Sequence, residues 1–238
     1  MCGICGIVKF NGDPPDRSGI GRMMAAIKHR GPNDDGLLVD DKVGLGFVRL
    51  SVIDLSPLGH QPMLSPDKRY CIIYNGEVYN YLEIRNELIK KGYQFISKTD
   101  TEVVLNSFIE WGQECLDRFN GMWAFVIYDR EKQELFCSRD RFGVKPFYYY
   151  YDKDQFVFAS EIPPLLATLK SKASVDREVM FDYMIYNRTD QSERTFFSGI
   201  KKLQHSHTLR VSLKDGTVLL QRWYDLKKRL RSSIPFEN

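Results

Sequence analysis

The stretch Met122-Trp123-Ala124-Phe125-Val126-Ile127-Tyr128 is apolar at nearly every position. A strand with one solvated face alternates apolar and polar residues, so an unbroken apolar run of this length predicts a strand covered on both faces. Other β-type runs surround it: Ile4 to Phe10, Val43 to Ile53, Tyr70 to Tyr74, Leu135 to Ser138, Phe147 to Tyr151, Phe156 to Ala159 and Thr208 to Leu213. Their spacing suits hairpins. Helical patterns are interspersed. Ile20, Met23, Met24 and Ile27 recur at one helix face, with Lys28, His29 and Arg30 favouring its negative end and Gly31-Pro32 terminating it. Tyr81, Ile84 and Leu88 mark a second helix, on which Glu87 and Lys91 are spaced as an i,i+4 pair. Thr99-Asp100-Thr101-Glu102 has the form of a capping box ahead of Val103, Val104, Leu105 and Phe108. Antiparallel sheets covered by helices, an α+β layered architecture, follow from this mixture.

The chain has 238 residues, long enough to bury a full core. Lys plus Arg number 34 and Asp plus Glu 31, a net charge of +3, which gives no reason to expect nucleic acid or an anionic membrane as partner. No apolar run reaches the ~18 residues needed to span a bilayer, and the start does not read as a signal peptide. Five cysteines at irregular spacing (Cys2, Cys5, Cys71, Cys115, Cys137) do not form a disulfide framework, so a reducing, cytoplasmic setting is expected. After Trp223-Tyr224-Asp225 the pattern fades into a polar, basic tail, Lys227 to Asn238, including Lys227, Lys228, Arg229 and Arg231, which reads as a solvated linker or helix face. Oligomeric state is left open, a homodimer included.

Several residues bear chemistry, each beside a plainer reading. Removal of Met1 would expose Cys2 with a thiol and an α-amine on one residue, a nucleophile with its own base. Cys2-Gly-Ile-Cys5 also spells C-x-x-C, a redox pair or half a zinc site, although no second pair completes a metal set. Asn75-Gly76 is a hairpin signal; the helical period after it favours a link from strand to helix, where the amide and a free N–H supply oxyanion-hole donors. Arg49 is either a solvent-facing strand residue or a bidentate clamp on a carboxylate. Asp100 is either a helix N-terminal residue or the partner of a ligand ammonium. Together they make a kit for an α-amino acid amide.

The ordered motifs resemble a known family. They are Met1-Cys2-Gly3, His29-Arg30-Gly31-Pro32, Arg49 to Asp54, Gly59 to Met63, Asn75 to Asn80, Asp100-Thr101-Glu102, Phe119 to Met122, Arg139 to Pro146 and Phe158 to Ile162. The chain resembles the N-terminal glutaminase domain of glutamine-hydrolysing asparagine synthetases, class II amidotransferases of the N-terminal-nucleophile hydrolase type. The resemblance implies a four-layer αββα sandwich with two antiparallel sheets. It implies Cys2 as nucleophile and Asn75 with the Gly76 N–H as oxyanion hole. Arg49 and Asp100 would bind the carboxylate and ammonium of L-glutamine, with Leu50, Ser51, Val52, Ile53 and Glu77 lining the pocket.

The resemblance also implies a domain over residues 1–225 and a linker over 226–238 toward an ATP-dependent synthetase domain, in cis or in trans, where ATP and Mg would act. No cofactor or metal is expected in this domain. Without a glycine-rich ATP loop, the chain is expected to hydrolyse glutamine but not to make asparagine. Two departures stand out: Asn33 where the family usually has aspartate, and Gln204-His205-Ser206-His207 where it often has a Pro-Pro-Gly-His type turn. Related glutaminases of glucosamine-6-phosphate synthase and of purine biosynthesis share the cysteine and the Asn-Gly. A module serving another amide-forming synthetase, or a non-catalytic scaffold, are the competing readings.

Overall fold

The computed structural model describes residues 1–169 and 172–233. The chain begins with β1 (Gly3–Lys9), α1 (Arg17–Ala26), β2 (Asp34–Asp40) and β3 (Val43–Arg49). It continues through β4 (Met63–Leu64), β5 (Tyr70–Val78), α2 (Tyr81–Lys90), α3 (Asp100–Trp111) and α4 (Cys115–Arg118). Then come β6 (Gly121–Asp129), β7 (Glu134–Arg139), β8 (Tyr148–Tyr151), β9 (Gln155–Ala159) and α5 (Ile162–Leu166). The last elements are α6 (Arg177–Tyr186), β10 (Lys201–Lys202), β11 (His207–Ser212), β12 (Val218–Arg222) and α7 (Leu226–Ser233).

Two six-stranded antiparallel sheets result, in the orders β10-β8-β9-β1-β3-β2 and β12-β11-β7-β6-β5-β4. Apolar side chains of the facing sheets meet in one core, with Ile4, Val8, Leu45 and Phe47 from one sheet and Ile73, Ala124 and Val126 from the other. A second core joins Trp123, Phe125 and Ile127 to α2 and α3 through Ile84, Leu88, Val104 and Leu105. A third joins Cys5, Ile7, Val48 and Val157 to α1 and α5 through Ile20, Met23 and Leu165. The layers are therefore helix, sheet, sheet, helix. The apolar run of β6 is explained: Ala124, Val126 and Tyr128 face the other sheet, while Trp123, Phe125 and Ile127 face the helices.

Four sequence expectations are corrected. The run from Val43 stays a strand only to Arg49. Helix α1 stops at Ala26; Lys28–Arg30 form a separate 3-10 turn, and Gly31 (φ −145°) is not in the left-handed conformation of a glycine cap. Glu87 pairs with Arg118 and Lys91 with Glu110, because tertiary partners reach both groups, so the expected Glu87–Lys91 pair is replaced. Thr99 caps α3 by accepting from the Glu102 N–H at 3.3 Å, but the Glu102 carboxylate takes the Ile96 and Ser97 N–H groups, while the Thr99 N–H donates to Ser97 Oγ. The sequence also left β2, β4, β10, β12, α4, α5 and α6 without a reading. Most of β12 is exposed and α6 buries none of its residues, so neither carries a clear apolar period. The basic residues Lys227, Lys228 and Arg229 lie on α7, while the Arg231 side chain and residues 234–238 lie outside the described residues. No helix among the described residues is long and apolar enough to cross a membrane.

Candidate active site

A cavity of about 250 Å³ opens between the two sheets. Its wall contains Cys2, Arg49, Leu50, Val52, Ile53, Asn75, Gly76, Glu77 and Asp100, nearly the whole set singled out from the sequence. Ser51 instead borders a neighbouring depression with Asn33, Asp34 and His60. Asn33 accepts the Ser51 N–H at 3.0 Å, so it braces this segment as an aspartate oxygen would.

Cys2 stands just before β1 and is half-buried. Its Sγ accepts the Leu50 N–H at 3.3 Å and lies 3.5 Å from the Leu50 carbonyl. Burial pushes the thiol above its ordinary pKa; the Leu50 N–H, the chain's terminal ammonium and Arg49 pull it back. Cys5 is wholly buried and belongs to the core under α1, whereas Cys2 packs toward the core between the sheets. Three residues apart on an extended chain, the two point to opposite faces, so C-x-x-C forms neither a disulfide nor half a metal site.

Asn75 and Gly76 do not link strand to helix. They lie inside β5, opposite Ala124 and Trp123 of β6, and α2 begins only at Tyr81. Strand pairing with β6 outlasts the helical period seen in the sequence. A Cβ at Gly76 would come within 2.5 Å of the Met122 carbonyl oxygen and of the Tyr74 ring, so only glycine fits the paired strand here. Asn75 is 1% exposed, and its Nδ2 has no hydrogen-bond partner among the described residues. Buried amide nitrogens without partners are rare and costly, which marks this one as reserved for something that enters the cavity.

Arg49 ends β3 and is buried. Its guanidinium donates to the Ser56 carbonyl at 2.8 Å and to the Asp54 carbonyl, which fixes its pose in the wall. A Cβ at Gly59 would lie 2.1 Å from Arg49 Nη2, so glycine permits the loop to close over it. Asp54 is anchored in turn by the Ser56 and Lys98 N–H groups, and with the Ser56 hydroxyl they hold its carboxyl down at about 2.

Asp100 is the first residue of α3 and is 5% exposed. Its Oδ2 accepts from the Tyr74 hydroxyl at 2.7 Å and from the Val78 N–H at 3.0 Å. Burial raises its pKa despite these bonds; burial and the Asp100 charge raise that of Tyr74 well above the ordinary value. Gln61 ties the same region together, accepting the Tyr74 N–H at 2.6 Å and donating to Thr101 Oγ1 at 3.2 Å.

Sequence reasoning assigned no role to Tyr74, Gln61, Met122 or Lys145, all of which line the cavity. Tyr74 ended a β-type run and the other three lay within quoted motifs, but nothing in the linear pattern shows a side chain meeting a residue from another strand. The Gln204 to His207 turn contacts the loop after β7. Ser206 adopts a left-handed φ of 63°, its N–H donates to the Asp140 carbonyl, and its hydroxyl donates to the Arg141 carbonyl at 2.8 Å. This segment therefore supports the loop that brings Lys145 to the cavity.

Comparison with known proteins agrees with this geometry. A family model described as a glutamine amidotransferase domain matches residues 1–224. Asparagine synthetase [glutamine-hydrolyzing] 3 of Bacillus subtilis (strain 168) is 39% identical over 226 residues, covering 94% of this chain and 36% of that protein. A Methanocaldococcus jannaschii relative, provisionally named for the same activity, is 43% identical over 281 residues, covering 99% of this chain and 53% of its own length. The chain thus spans about half the length, or less, of these curated relatives. Among solved structures, the glutamine phosphoribosylpyrophosphate amidotransferase of B. subtilis superposes with a TM-score of 0.68 at 16% identity, covering 94% of this chain and 49% of that one. That likeness shows the N-terminal-nucleophile hydrolase fold. With the family model covering nearly its whole length, the chain belongs to the glutamine amidotransferase domain family.

Proposed function

We propose that the chain is the glutaminase domain of an asparagine synthetase, hydrolysing L-glutamine to glutamate and ammonia at Cys2. Loss of Met1, whose side chain lines the cavity, exposes the Cys2 α-amine as base. The amine takes the thiol proton while Sγ attacks the side-chain amide carbon. The tetrahedral oxyanion is held by Asn75 Nδ2 and the Gly76 N–H. The proton passes to the leaving nitrogen, the C–N bond breaks, and ammonia departs from a glutamyl thioester. Water then attacks the thioester carbon, releasing glutamate and restoring the thiol. Arg49 binds the substrate α-carboxylate, Asp100 its ammonium, and Leu50 to Ile53 with Glu77 complete the wall.

The observation that carries this reading is the buried Asn75 Nδ2 in the cavity of Cys2, which has no hydrogen-bond partner among the described residues. The relatives' names, asparagine synthetase [glutamine-hydrolyzing], support asparagine synthesis as the use of the ammonia. In this reading residues 1–225 are the glutaminase and 226–238 lead toward a synthetase domain that amidates aspartate with ATP and Mg. The glutaminase step uses no cofactor of its own, and the setting is cytoplasmic.

Purified protein incubated with glutamine should release glutamate, and intact mass should show Met1 loss plus one adduct at Cys2 from a diazo-ketone glutamine analogue. Cys2→Ala with undiminished glutaminase activity would sink the mechanism. Folded protein that retains Met1 and is inert would favour the scaffold reading.

A further inference from the structure

Lys145 is 6% exposed and lines the Cys2 cavity. Among the described residues, its ammonium makes one hydrogen bond, to Met1 Sδ at 3.4 Å. A thioether is a weak acceptor, and buried ammonium groups ordinarily find a carboxylate. The position is built rather than incidental. The buried Asp140 carboxylate accepts the N–H groups of Trp123, Phe142, Val144 and Lys145 at 3.0–3.2 Å. The Arg139 guanidinium donates to the Lys145 carbonyl at 2.7 Å and also holds the Leu203 and Gly143 carbonyls. A buried carboxylate and a half-buried guanidinium thus fix the backbone from both sides and deliver the ammonium to the residue just before Cys2.

Removal of Met1 takes that partner away and leaves the ammonium in the cavity that Cys2 lines. We propose that Lys145 is a positioning residue for the glutaminase reaction, its cation favouring the free-base form of the Cys2 α-amine and the anionic form of the Cys2 sulfur. The inference rests on Cys2 being the nucleophile. The physical basis is plain: a like charge disfavours protonation of the amine, and an opposite charge stabilises the thiolate.

Other charged groups around Cys2 come from several elements. Arg30 donates from Nε to the Cys2 carbonyl at 3.0 Å, and its Nη2 has no hydrogen-bond partner among the described residues. Arg30 and Arg49 act in the same sense as Lys145, while Glu77 and Asp100 oppose it. Burial and Arg30 lower the Lys145 pKa, whereas Cys2, Glu77 and Asp140 raise it.

The test is the pH profile of kcat/KM for glutaminase activity in processed protein, with Met1 loss verified by intact mass. Wild type, Lys145→Gln, Lys145→Met, Lys145→Arg and Cys2→Ala are compared, folding being checked by thermal melts. In Lys145→Gln and Lys145→Met the acid limb should move alkaline, with about a tenfold loss near pH 6.5 that closes to about twofold by pH 9. KM for glutamine should change little, and Lys145→Arg should keep the wild-type limb. An unmoved acid limb in whichever neutral variant folds, or a pH-independent loss shared by Lys145→Arg, would overturn the inference while leaving Cys2 in place. Activity surviving in Cys2→Ala would instead overturn the reading beneath it.

Discussion

Asn75 shows how a single side chain advertises its use. Its Nδ2 is buried and bonds nothing in the described protein, so truncation should remove little that holds the fold together. Asn75→Ala is expected to lower kcat by about 10²–10³-fold, the range for losing one oxyanion donor, while the melting temperature stays within a few degrees of wild type. Steady-state kinetics beside calorimetry checks both halves. Asp100 behaves differently, because burial raises its pKa. Folding therefore favours its protonated form, and the resulting penalty grows as pH rises from the unfolded value through the folded one. Asp100→Asn should gain stability relative to wild type between pH 4 and pH 7, with the difference larger at pH 7, yet lose glutamine binding. Melting curves at the two pH values, with KM measurements, test this; a difference that shrinks with rising pH would refute it.

At the scale of elements, the loop after β7 is the feature that most depends on one residue. Asp140 satisfies three N–H groups in a segment with no strand or helix of its own and a fourth, from Trp123 of β6. Asp140→Ala should destabilise the protein by roughly 3 kcal/mol, since buried donors left unpaired each cost about 1–3 kcal/mol and some regain water. Urea denaturation reads this, and glutaminase activity should fall with it as Lys145 loses its support. Ser206 sits in the same assembly with a strained φ. Ser206→Gly relieves about 1 kcal/mol of left-handed strain and forfeits a bond of similar worth, so near-neutral stability is expected. Elements with a strong period were legible in sequence: β1, β6, α1 and α3 follow from apolar spacing. The strand β5 beyond Tyr74 was not, because Asn75, Gly76 and Glu77 are strand residues only through pairing with β6.

Across the whole molecule, the layering separates one cysteine from the rest. Cys5, Cys71, Cys115 and Cys137 are buried, and burial raises each thiol pKa, that of Cys71 to about 12. Cys2 alone is partly exposed and lines the cavity. Native protein should therefore give one thiol adduct with a small alkylating reagent and five after unfolding, the full complement of the chain, as read by intact mass. Two or more rapid adducts in the native state would contradict this packing. The candidate site was largely visible beforehand because the thiol, amide, guanidinium and carboxylate that line it are residue types whose chemistry is specific and whose surrounding motifs are ordered along the chain.

The sequence by itself determined the layered α+β class, the family and many of the residues that line the cavity, because apolar periodicity and motif order are local properties that survive in one dimension. Tertiary structure alone decided that Tyr74 clasps Asp100, that Gln61 bolts β5 to α3, that Ser51 borders the neighbouring depression, and that Lys145 reaches the residue before Cys2. Those contacts join groups 26, 40 and 144 residues apart, and only the stacking of two sheets under helices brings them within bonding distance.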